Sequence, residues 1–203
     1  MDKFKEFVKD READKWSKEN YGEWLEKLKK DEYTCFSNDI ADLLYCYTGN
    51  MNLEFNRIMR GYTSLYLEDI EEYTYKIDII NSNISKFELK ENIVVWRYTD
   101  NKVFKTLFEN QKIKVGANFV EKGFMSTTLI AKKLEKFAFD HKYNTLLKLY
   151  LPKGAKGAYV DFEKGMLDEK EFLLPRDSKF ILRKKQYKFF QWPTYIYECE
   201  LML

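Results

Sequence analysis

The spacing of hydrophobic residues changes near Asn92, and that change limits the chain to few folds. Before it, Phe4, Phe7 and Val8, then Trp16, Trp24, Leu25 and Leu28, recur three and four apart among many Lys and Glu. This is the spacing of helices with one buried face. Ser37-Asn38-Asp39 offers a cap to a helix carrying Ile40, Leu43, Leu44 and Tyr47, and Thr48-Gly49-Asn50 interrupts it. A further helix runs from about Met51 to Arg60 and stops at Gly61, a residue suited to the left-handed conformation just past a helix end. Another spans residues 65–80. From Asn92 onward, short runs rich in Val, Ile, Tyr and Phe are separated by Gly, Pro, Asn and Asp, which reads as strands near 93–98, 123–128, 145–151, 158–162, 170–174, 179–184 and 194–202. Short helices are expected over 101–109 and 132–141. Helices first and strands afterwards, without βαβ alternation, give an α+β fold. No repeat or low-complexity linker divides the chain, so residues 1–203 are expected to form one domain.

The 35 basic and 33 acidic residues nearly cancel, leaving a formal charge of +2 and no global reason to expect binding to nucleic acid or membrane. The basic run Arg183-Lys184-Lys185-Gln186-Tyr187-Lys188 reads as a solvated strand edge and turn. Cys35, Cys46 and Cys199 are odd in number and lack a histidine cluster, so neither a disulfide framework nor a metal site is expected and a reducing compartment fits. No run approaches the roughly 18 apolar residues that span a bilayer. The chain reads as cytoplasmic, or as a delivered effector without a cleaved signal. No GxGxxG is present, so a dinucleotide would not be held by a Rossmann turn.

Three short segments carry the chemistry: Trp96-Arg97, Gly123-Phe124-Met125-Ser126-Thr127-Thr128, and Glu169-Lys170-Glu171-Phe172-Leu173-Leu174-Pro175. Two more accompany them, Tyr47-Thr48-Gly49 with Phe55-Asn56-Arg57-Ile58-Met59-Arg60-Gly61, and Leu151-Pro152-Lys153-Gly154-Ala155 with Gly157-Ala158-Tyr159. In this order they resemble the R-S-E class of mono-ADP-ribosyltransferase toxins, which includes the enzymatic components of clostridial binary toxins, the vegetative insecticidal proteins and the C3-like exoenzymes. The resemblance runs from about Glu12 to the C-terminus. It implies an ADP-ribosyltransferase-like fold, N-terminal helices on a two-sheet mixed β core, with NAD as substrate, in a cleft between the central strands, and no metal.

Breaking the nicotinamide–ribose bond builds positive charge on the sugar, which a fixed carboxylate stabilises. The resemblance gives that role to Glu171, oriented by Ser126. Guanidinium groups grip a pyrophosphate in two-pronged fashion, so Arg97 and Arg60 are the expected clamps. Asn56 stands one helical turn before Arg60 and would share its cleft. Lys148, where relatives often carry Arg, and Tyr98 complete the cofactor-binding candidates. Glu169, two residues before Glu171, would project to the same side if the segment is extended. Two neighbouring carboxylates raise the proton affinity of one, which suits acceptance of a proton from an incoming nucleophile. In the resembled class an E-x-E pair goes with arginine as acceptor.

The loop before the pair departs from the pattern. Met166 and Asp168 stand where relatives carry an aromatic residue and a glycine. Met166 and Phe162 are the target-contact candidates, although the alternation of Phe162 with Val160 also fits a buried strand residue. A protein arginine is the favoured acceptor. A nucleic-acid base or small molecule is a second reading, and a binding module without catalysis a third. Neither a membrane nor an oligomer is expected.

Overall fold

A computed structural model describes residues 3–62, 67–109, 111–162 and 168–203. The first seven described residues are not helical. Lys5 bridges Ile93 in parallel fashion, its N–H donating to the Asn92 carbonyl and its own carbonyl accepting from Val94. Val8 is exposed. Phe4, Phe7 and Val8 therefore do not belong to a helix as their spacing suggested. Helix α1 spans Asp10–Leu28, with Asp10 and Glu12 in its first turn complementing the helix dipole. Ala13, Trp16, Tyr21 and Leu28 line its buried face.

Helix α2, Ile40–Cys46, starts where Asp39 accepts a hydrogen bond from the Ala41 N–H. A π-helical turn, Tyr47–Met51, kinks at Gly49 and leads into α3, Asn52–Met59. Helix α3 ends in a Schellman motif: Gly61 is left-handed at φ 74°, and Tyr62 donates back to the Arg57 carbonyl. Helix α4 covers Leu67–Ile84. Among the described residues, no helix is long and apolar enough to cross a membrane.

The strands are β1 (Ile93–Thr99), β2 (Asn118–Glu121), β3 (Met125–Thr128), β4 (Thr145–Leu151), β5 (Ala158–Tyr159), β6 (Glu171–Leu174), β7 (Ser178–Tyr187) and β8 (Tyr195–Leu201). Helix α5, Asn101–Thr106, follows β1, and a 3-10 turn, Ala131–Leu134, leads into α6, Glu135–Asp140. The strands form one mixed sheet in the order β2-β7-β8-β4-β1-β3-β6-β5, in which β4 and β8 are parallel. The expected two sheets are joined, but barely. Strand β1 pairs with β4 over its whole length, whereas it meets β3 through one register pair among the described residues, Trp96 opposite Thr128. Five strands thus lie on one side of a seam and three on the other.

Aromatic rings fill both sides of the seam. Phe104, Phe108, Phe119, Phe180 and Tyr197 pack together beneath the five-stranded part. Trp16 and Tyr21 of α1 pack on Phe172 of the three-stranded part. Tyr21 and Trp24 also donate to the carbonyls of Gly157 and Tyr159, which ties α1 to β5. A disulfide joins Cys35 to Cys46, correcting the expectation that no disulfide framework forms. The residues before α2 fold back along it, a proximity that spacing in sequence cannot reveal. Cys199 is free and buried.

Candidate active site

Ser126 and Thr128 project from the same face of β3, and Glu171 of β6 lies directly opposite Thr128 and diagonal to Ser126. This register brings the Ser126 hydroxyl into a hydrogen bond with the Glu171 carboxyl. Across the seam, the Arg97 guanidinium donates from Nη1 to the Ser126 carbonyl at 2.7 Å. The structure therefore brings Arg97, Ser126 and Glu171 together at the only place where the two parts of the sheet pair among the described residues.

Glu171 is 6% exposed. Burial pushes its carboxyl up to about 7, and the charges of Glu169 and Asp161 act in the same direction, while the Ser126 hydrogen bond and Arg97 oppose them. Tyr47 is fully buried beside this group, and burial together with the Glu171 charge raises its phenol. Its ring packs edge-on against Phe124.

Glu169 reaches the site by a route the sequence did not suggest. The segment is not extended, because Lys170 is left-handed at φ 53° and β6 begins only at Glu171. All of the polar groups of Lys170 are engaged. Its N–H donates to Asp161 Oδ2 at 3.0 Å, its carbonyl accepts from Leu129, and its ammonium bridges Asp14 of α1 and Asp168. Lys133 makes a parallel bridge between Asp10 and Asp168. Thr128 Oγ1 donates to the Glu169 carbonyl at 2.6 Å. Burial first, and the nearby Asp161 second, raise the Glu169 carboxyl above its ordinary range. Asp161 is itself raised by burial.

Helix α3 delivers Asn56 and Arg60 to the neighbouring wall. The Arg60 guanidinium grips Glu121 of β2 with two contacts of 2.9 Å, and Glu121 also accepts from the Gly123 N–H. Glu121 is 3% exposed at its side chain, so Arg60 is held in place by a buried partner. Asn56 Nδ2 donates to Tyr47 Oη at 3.3 Å. Asn56 Oδ1 is buried with no donor among the described residues, the kind of acceptor a substrate hydroxyl satisfies. It lies so close to Gly123 that a Cβ there would stand 2.4 Å from it.

Three candidates fall elsewhere, and a fourth lies outside the described residues. Tyr98 and Lys148 point away from Arg97, because alternate residues of β1 and β4 line opposite faces of the sheet. Tyr98 stacks on Trp192 at 5.3 Å and packs with Ala138 and Leu146. Lys148 pairs with Glu6 at 2.8 Å and lies over Trp96. Phe162 is 2% exposed against Tyr33, so its ring offers no surface to a target. Met166 lies outside the described residues. Sequence reasoning assigned no part to Glu121, Tyr47 and Asp161. Tyr47 stood within a recognised motif, but nothing near Glu121 or Asp161 marked either as more than a strand-end acid.

The chain is similar to known proteins in sequence and in fold. The model of the ADP-ribosyltransferase exoenzyme family matches residues 13–190. NAD(+)–arginine ADP-ribosyltransferase EFV of Enterococcus faecalis is 27% identical over 163 residues, which cover 77% of this chain. This chain spans 29% of the length of that relative. Mono-ADP-ribosyltransferase C3 of Clostridium botulinum C phage is 25% identical over 206 aligned positions, covering 91% of this chain and 76% of its own. In fold, the chain is similar to C3stau2 from S. aureus, solved with NAD, with a TM-score of 0.72 at 20% identity over 99% of both chains. The C. perfringens toxin BECa, solved with NADH, gives a TM-score of 0.75 at 22% identity over 98% of this chain and 50% of that one. With the match running from α1 into the turn after β7 and the Arg97, Ser126 and Glu171 side chains gathered at one seam, this chain belongs to the ADP-ribosyltransferase exoenzyme family.

Proposed function

We propose that this chain breaks the nicotinamide–ribose bond of NAD and transfers the ADP-ribose to an arginine side chain of a protein target, with hydrolysis of NAD when no acceptor is bound. The observation that carries the reading is the buried Glu171 carboxyl, oriented by Ser126, with Arg97 across the seam and Glu169 beside it. In this reading ionised Glu171 faces the ribose and stabilises the cation that develops there, since a fixed charge acts most strongly where water is excluded. Arg97 and Arg60 supply the positive charge that a pyrophosphate needs, and Asn56 adds a polar contact on the same wall. The NAD and NADH in the related C3stau2 and BECa structures support NAD as the substrate.

Glu169 takes the proton from the incoming guanidinium. Its raised proton affinity suits that task, because a base works best when its own pKa lies nearer the working pH. The relative named an NAD(+)–arginine ADP-ribosyltransferase supports arginine as the acceptor.

The test is Glu169→Gln, assayed with agmatine as the acceptor and in its absence. The expected result is loss of label transfer by about 10²-fold or more with NAD hydrolysis close to that of the parent protein. Equal loss of both activities removes Glu169 from the acceptor step. Labelling of RNA or DNA with agmatine left unlabelled moves the acceptor to nucleic acid.

A further inference from the structure

The turn between β7 and β8 carries a surface that the catalytic reading does not use. From Ser178 to Tyr197 the chain has five cationic residues, Lys179, Arg183, Lys184, Lys185 and Lys188, and no Asp or Glu. Within this stretch Phe189 is 66% exposed and Phe190 is 93% exposed, their rings 4.0 Å apart at the tip. Phe139 at the end of α6 is 61% exposed and meets Trp192 of the turn edge-on at 5.7 Å. Tyr187 extends the patch on its other side.

We propose that this aromatic prong docks the protein on an anionic lipid surface. The prong is firmly based. Trp192 stacks on Tyr98, its indole N–H donates to the Tyr143 carbonyl at 2.7 Å, and the Lys188 N–H donates to the Thr194 carbonyl at 2.8 Å. Phe190 is left-handed at φ 58°, a conformation that bulky residues rarely adopt, and its ring points into solvent. Rings presented on a rigid convex tip suit a soft apolar phase.

A protein partner fits less well. Three phenylalanine rings at these exposures offer on the order of 400 Å². A stable protein interface buries about 800 Å² on each partner. The charge around the tip selects the sign of the lipid. Lys188 on the turn and Lys136 and Lys142 on and after α6 have no acidic partner among the described residues. Among the described residues Lys185 donates only to the neutral Ile113 carbonyl. Arg183 and Lys184 are paired to Glu200 and Glu198. Helix α6, which reaches the turn through Phe139, carries the acids Glu135 and Asp140. Clustered lysines beside amphipathic aromatic rings are attracted to anionic headgroups while the rings enter the interface. The tip lies beyond the end of β1 that carries Arg97, so docking sets the catalytic end of the sheet toward the bilayer.

The experiment is co-sedimentation of the full chain with vesicles of phosphatidylcholine and phosphatidylserine in equal parts, with pure phosphatidylcholine as the control. Binding is expected to the mixed vesicles and not to the neutral ones. The double change F189S/F190S and the double change K136E/K188E should each weaken it by about tenfold or more. Both variants should keep the parent rate of NAD hydrolysis in solution, which shows that they fold. Failure of the parent protein to bind the mixed vesicles overturns the proposal, as does undiminished binding by F189S/F190S. Light scattering that finds a concentration-dependent dimer, abolished by F189S/F190S, with no vesicle binding assigns the patch instead to a second copy of the chain.

Discussion

In the proposed function Glu171 serves chemistry at the expense of stability, and both effects have a readable pH dependence. Its carboxyl rises from its ordinary 4.5 to about 7, chiefly because it is buried. At acid pH, well below 4.5, the group is neutral in folded and unfolded chains alike. Between 4.5 and about 7 the folded protein keeps a proton that the unfolded chain has released, so stability falls as pH rises through that window. Above it the penalty is complete, about 3 kcal/mol for this shift. Glu171→Gln should therefore raise the unfolding free energy by about 3 kcal/mol at pH 8 and by little near pH 4, measured by denaturant titration at both. The same change should lower NAD hydrolysis by about 10³-fold. In the parent protein, kcat/KM for NAD hydrolysis should fall as pH drops below about 7, because the stabilising form is the ionised one. A rate that is flat from pH 5 to 8 would sink this assignment.

At the scale of elements, β5 and β6 depend on one glycine. Gly157 has φ 152°, and a Cβ on it would lie 2.7 Å from the Phe172 ring, next to Glu171 in the chain. Gly157→Ala is expected to cost about 1–3 kcal/mol, through the left-handed backbone and the displaced ring. It should also lower kcat for hydrolysis; thermal unfolding and steady-state rates check both. Elements with local signals were legible in the sequence. Asp39 caps α2, Gly61 ends α3, and the apolar runs of β1 and β4 located both strands to within a residue. Elements defined by distant partners were not. Strand β2 is four residues long and exists through pairing with β7, while residues 3–9 follow the start of β1 instead of continuing α1. In the site, Arg97, Ser126 and Glu171 stood in recognisable motifs. The left-handed Lys170 is engaged by Asp161 and Leu129 through its backbone and by Asp14 and Asp168 through its ammonium, and the buried grip of Glu121 on Arg60 joins residues 61 apart. Neither is written in local spacing.

Across the whole molecule, the helical layer holds on to both parts of the sheet. Helix α1 is tied to β5 through Tyr21 and Trp24 and to the Glu169 segment through Asp14, which pairs with Lys170, and through Asp10, which shares Lys133 with Asp168, while α3 is tied to β2 through Arg60 and Glu121. Between these anchors the sheet itself is weakest where Trp96 faces Thr128, and there the Arg97 side chain reaches over to the Ser126 carbonyl. That contact crosses the seam. In the proposed function a pyrophosphate would compete with this neutral carbonyl for the same guanidinium, and charge favours the phosphate. If Arg97 turns to that pyrophosphate, the two parts of the sheet lose one side-chain tie, while the Trp96–Thr128 pairing and the shared core remain. Amide hydrogen exchange should then quicken at Trp96 and Thr128 on adding NAD to the Glu171→Gln protein, with the β1–β4 ladder unchanged; slower exchange at both would mean that the dinucleotide fastens the two parts instead.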